Sequence, residues 1–99
     1  MIERVPPQNI EAEQAVIGGM LIEKEAISKV AEFLKADDFY REAHRLIFEA
    51  MLELFNKNEA VDLVTVTEVL RKNDKLEAVG GIAYITSLAN SVPTAANIN

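Results

Sequence analysis

Apolar residues in this chain recur mostly at helical spacing. From Ile10 to Leu21, positions 10, 16, 17, 20 and 21 share one helical face. Asn9 stands at the N-cap position, and Glu11 and Glu13 in the first turn suit the positive end of a helix dipole. Gly18-Gly19 cost roughly 1 kcal/mol each against alanine inside this segment, which predicts either close approach of a neighbouring helix or a bend. Ala26, Ile27, Val30, Ala31 and Leu34 form a second stripe, predicting a helix over Lys24–Lys35 with Glu25, Ser28, Lys29 and Glu32 outward. The strongest stripe is His44, Ile47, Phe48, Met51, Leu52 and Phe55. It predicts a helix from Tyr40 to Asn56 at the centre of the core.

Asn56-Lys57-Asn58-Glu59 reads as a turn, because Asn tolerates the left-handed region. The segment Asp62–Asn73 is rich in β-branched residues, which favours a strand. Asp62 is a good N-cap, however, and Leu63, Val66 and Leu70 share a helical face. No other segment alternates to pair with a strand, so a helix is predicted. Leu76–Val79 is a short piece ending in a turn at Gly80-Gly81. Ile82, Ile85, Leu88 and Ala89 make a fifth stripe that stops before Ser91-Val92-Pro93. Thr94 reads as the N-cap of a sixth helix that the chain barely enters, the pattern of a piece cut from a longer protein. The predicted fold is all-α: a compact orthogonal bundle of five helices plus the start of a sixth.

With 99 residues, 49% of them hydrophobic, the chain has room for one core. Cysteine is absent, which excludes disulfides and Cys-based metal or nucleophile chemistry. The net charge of -6 starts from the wrong side for a phosphate binder, so direct nucleic-acid contact is not expected. The longest uncharged apolar stretch, Ala15–Ile22, is far short of the ~20 residues a spanning helix needs. No targeting segment is visible, and the expected location is the cytoplasm, with no membrane partner.

Candidate chemistry is sparse. The single His, His44, lies on the apolar stripe and reads as a core or rim histidine bonded to a neighbour. Ser28, Ser87 and Ser91 have no motif around them, and neither glycine pair belongs to a phosphate loop. Arg41 and Arg45 read as partners for nearby Glu side chains, and Arg71, Lys72 and Lys75 as favourable charge at a helix C-terminus. Tyr84 lies at the edge of the fifth stripe, half exposed. Two readings stand for it: a cap on the core, or an interface anchor whose rigid ring gives contact area at low entropy cost. No catalytic, cofactor or metal residue is assigned.

Five pieces occur in order along the chain: Glu11-Ala12-Glu13-Gln14-Ala15-Val16-Ile17-Gly18; Asp38-Phe39-Tyr40 with His44-Arg45-Leu46-Ile47-Phe48; Val61-Asp62-Leu63-Val64-Thr65; Val79-Gly80-Gly81 with Tyr84 and Leu88; and Pro93-Thr94-Ala95-Ala96-Asn97. Together they resemble the N-terminal domain of the bacterial replicative DNA helicase, the DnaB family. Asn58 and Ala60 stand where that family often has Gly and Pro. The resemblance implies a globular helical head over residues 1–93 and, over 94–99, the start of a helical hairpin. An ATPase motor domain using ATP and Mg would lie outside this chain. It further implies a non-catalytic collar on a hexameric ring that docks the C-terminal helicase-binding domain of primase. Other helicase subunits and a helicase loader are the remaining implied partners. The implied primase face includes Glu11 and Tyr84. The alternative function is a small helical nucleic-acid-binding module, and a weaker third is a standalone enzyme.

Overall fold

The computed structural model describes residues 9–91. Its elements are α1 (Ile10–Ile22), α2 (Ala26–Val30), a 3₁₀ turn (Ala36–Asp38), α3 (Glu42–Asn56), α4 (Leu63–Lys72) and α5 (Gly81–Asn90). The described residues contain no strand, so the all-α expectation holds. Residues 1–8, and the predicted sixth helix and hairpin start at 94–99, lie outside the described residues.

The helix over Asp62–Asn73 forms despite its β-branched content. Asp62 accepts the Thr65 amide at 2.9 Å while the Thr65 hydroxyl accepts the Asp62 amide at 2.9 Å. This reciprocal cap satisfies orphan donors that a strand would have left to a missing partner. Asn58 adopts φ 61°, the left-handed conformation its turn requires. Asn9 precedes α1, but its side chain makes no capping bond.

The second helix is shorter than its stripe. Only Ala26–Val30 is α-helical; the chain then tightens, with the Glu32 amide bonding the Lys29 carbonyl and the Phe33 amide the Val30 carbonyl. Lys35 is extended, and its amide donates to the Asp38 carboxylate at 2.8 Å. That local side-chain bond competes with continuation of the helix and starts the 3₁₀ turn instead. Phe33 is left on the surface.

α3 is the hub, packing against α1, α2, α4 and the 3₁₀ turn. With neighbours on several sides its buried arc is wide: His44, Ile47, Phe48, Ala50, Met51 and Leu54. Leu54 therefore faces inward, while Leu52 and Phe55 pack only partly against the core. A similar rotation affects α5. Its buried side is centred on Ile85 and Leu88 with Tyr84 drawn in beside them, and Ile82, predicted on the inner face, is 53% exposed. In α1, Gly18 is buried, whereas a Cβ at Gly19 would meet nothing within 4 Å. Close packing therefore does not account for the second glycine.

Candidate functional site

Two polar side chains are fully buried among the described residues, Thr67 and His44. They are satisfied in different ways. The Thr67 hydroxyl donates to the Leu63 carbonyl one turn back, at 2.7 Å. His44 needs partners from two other helices: Nδ1 lies 2.8 Å from Oε1 of Glu13 on α1, and Nε2 lies 2.7 Å from the Tyr84 hydroxyl on α5. The ring planes of His44 and Tyr84 are within 11° of parallel with centroids 6.0 Å apart. That is the arrangement of an in-plane bond to the imidazole lone pair rather than face-to-face stacking.

The Tyr84 hydroxyl also receives Gln14 Nε2 at 3.2 Å and Arg41 Nη1 at 3.4 Å. A phenol oxygen has one proton and two lone pairs. Gln14 and Arg41 fill the lone pairs, so the hydroxyl proton goes to His44 Nε2. Nδ1 then carries the ring proton and donates it to Glu13. This set of directions satisfies every group in the network, as a buried polar cluster requires.

Glu13 is the base of the arrangement. Its side chain is only 11% exposed. Oε2 accepts the Tyr40 amide, and Oε1 accepts the Arg41 amide at 3.4 Å as well as the imidazole. Burial pushes the Glu13 pKa up, but the Tyr40 amide, the His44 ring and the Arg41 amide outweigh it and hold the group below its ordinary value. The position also serves α3. Arg41 at its N-cap supplies no side-chain cap, and the carboxylate from α1 brings negative charge to the positive end of that helix. Arg45 fixes the same approach by donating to the Phe39 and Tyr40 carbonyls at 2.8 and 2.9 Å. Phe39 is buried there, its ring 5.1 Å from Phe48 and edge-on to His44 at 6.5 Å.

Gly80 makes room for the tyrosine. It sits at φ 107°, and a Cβ there would lie 2.8 Å from Tyr84 Cβ. Both the backbone and the space demand glycine.

Of the residues singled out from sequence, Tyr84 is half-buried, as its place on the stripe suggested, and its hydroxyl is turned toward the interior. Glu11 is exposed in the first turn of α1, one turn before Gln14 on a neighbouring part of the helix surface. Tyr84, bonded to Gln14 of α1, belongs to the side of the molecule where α1 packs on α5. His44 is indeed a bonded core histidine. Among the described residues the Arg41 and Arg45 side chains pair with no glutamate: they bind a hydroxyl and two carbonyls. Arg71 pairs with Glu68 on the surface of α4. Glu13 and Gln14 were not picked out as partners, because their bonds to His44 and Tyr84 span 31 and 70 residues and leave no local spacing signal.

The family model described as "DnaB-like helicase N terminal domain" matches residues 5–99. Replicative DNA helicase DnaC of Bacillus subtilis is 57% identical over 96 residues, covering 97% of this chain and 21% of that protein. Replicative DNA helicase DnaB of Geobacillus stearothermophilus is 51% identical with the same coverages. The chain thus spans about a fifth of the length of these curated relatives. The crystal structure of the N-terminal domain of DnaB helicase from Mycobacterium tuberculosis superposes with a TM-score of 0.85 at 46% identity. That match covers 94% of this chain and 65% of the other.

Proposed function

The chain belongs to the family of DnaB-like helicase N-terminal domains, and on that premise we propose that it is the docking and collar domain of a hexameric replicative DNA helicase. Its partner is the C-terminal helicase-binding domain of primase, met on the side formed by α1 and α5. Other subunits of the same helicase, and a loader, use further parts of the domain. The observation that carries the reading is Tyr84: a half-buried aromatic ring on α5, fixed through its hydroxyl where α5 packs on α1, whose first turn exposes Glu11. A rigid ring of this kind supplies contact area with little ordering left to do on binding.

Unwinding, with its ATP and Mg, is assigned to a motor domain outside these residues. The described residues offer no group of three or more His, Cys, Asp or Glu side chains that could hold a metal ion, and the glycine pairs are not phosphate loops. No catalytic step is assigned to them. No described helix is long and apolar enough to cross a membrane.

Calorimetric titration of the C-terminal domain of a bacterial primase into this chain tests the proposal. The wild type should bind, and Tyr84→Ala should weaken binding by about 30-fold, the ~2 kcal/mol of a true anchor, while still melting cooperatively. Failure of the wild type to bind, or full-strength binding by Tyr84→Ala, would refute it.

A further inference from the structure

The docking reading leaves open what sets Tyr84, and the following inference rests on that reading. His44 is wholly buried, yet its two nitrogens connect a carboxylate on α1 to a hydroxyl on α5. We propose that Glu13 and His44 are positioning residues for the docking face: the imidazole, oriented by Glu13, locks the Tyr84 hydroxyl and so presets the ring and the Arg41 guanidinium for a partner. The chain of bonds runs in one direction. Glu13 accepts from Nδ1, and Nε2 accepts from Tyr84. The hydroxyl then accepts from Arg41 on the approach to α3 and from Gln14 on α1. Each bond removes a rotational choice from the next group. Neither Glu13 nor His44 has to touch the partner, since one is nearly covered and the other fully so. Gly80 adds steric definition, as Tyr84 Cβ lies only 2.8 Å from where a Cβ at position 80 would stand.

The test separates this role from ordinary core packing. Tyr84→Phe keeps the ring and removes only the hydroxyl, while His44→Leu keeps buried volume and removes both polar links. His44→Gln restores a donor toward Glu13 and an acceptor toward Tyr84. Primase-domain affinity is measured for each variant and for the double variant Tyr84→Phe/His44→Leu, with thermal melts alongside. We expect Tyr84→Phe to lose about tenfold in affinity, the scale of one broken buried hydrogen bond. The double variant should lose no more than the larger single loss, because both changes break one device, and His44→Gln should recover most of the binding lost in His44→Leu. Wild-type affinity in Tyr84→Phe overturns the inference, even if His44→Leu fails to fold. So do losses that simply multiply in the double variant, or a His44→Gln variant no better than His44→Leu. Absence of binding by the wild type itself strikes the docking reading first, and is told apart from these outcomes at the outset.

Discussion

The two sides of α3 are built on different terms. Toward α4, the contact is apolar and periodic: Ile47, Met51 and Leu54 belong to the same buried core as Val66, Val69 and Leu70, and α4 is started by its own reciprocal cap. Toward α1 and α5, a polar chain runs through the core from Glu13 to His44 to Tyr84. The apolar side depends on area and shape, which many residues share. The polar side depends on donors and acceptors that must all be present, so a single loss leaves buried groups unsatisfied. The first kind of contact gives a stable bead. The second fixes where three helices sit relative to one another, and it reaches the surface at the face assigned to docking.

Substitutions should affect the two sides differently, with the largest effect expected on the apolar one. Phe48 is fully buried on α3, and Phe48→Ala should cost about 3–5 kcal/mol in chemical denaturation, a large share of the stability of a domain this small. Next comes Gly80→Ala. It imposes a positive φ on an L residue and drives a methyl group against Tyr84 Cβ, so a loss of about 1–3 kcal/mol is expected, together with a changed tyrosine fluorescence. Asp62→Ala removes the cap of α4 and should cost about 1 kcal/mol, with docking affinity unchanged.

The finest effect is one of pH. A carboxylate held below its ordinary pKa contributes stability that is fully present above the unfolded-state value and is lost as pH falls through the folded value. Wild-type melting temperature should therefore drop as pH falls below the ordinary carboxylate range. Glu13→Gln should start lower at neutral pH and fall less steeply over that acid window. Parallel profiles for the two proteins would show that Glu13 contributes nothing through its charge.

The sequence was most legible on the apolar side. Helical class, the turn at Asn58 and the cap at Asp62 are local properties, carried by residues a few positions apart. The family resemblance came from local words in order, and the comparisons uphold it. What stayed hidden depends on tertiary neighbours. Periodicity placed Leu52 and Phe55 inward in preference to Leu54, because a stripe cannot reveal how many helices will surround it. The stripe predicts Ile82 inward and Tyr84 at the edge; packing on α1 rotates α5 the other way. The apolar spacing of the second helix continues past Val30 and predicts twelve residues, while the Lys35–Asp38 bond that ends it is invisible to a hydrophobicity pattern. His44 was recognisable as a bonded core residue, but its partners lie 31 and 40 residues away.

The carboxylate that α1 lends to the start of α3 bears on the order in which the molecule assembles. The Tyr40 and Arg41 amides are closed by a residue 27 and 28 positions earlier, not by a neighbour in their own stretch of chain. Until that loop closes, the leading turn of α3 should fray, while its middle, clamped by α4, holds. Deuterium uptake at those two amides should consequently report the docking of α1 itself, slowing only when the first helix has come home.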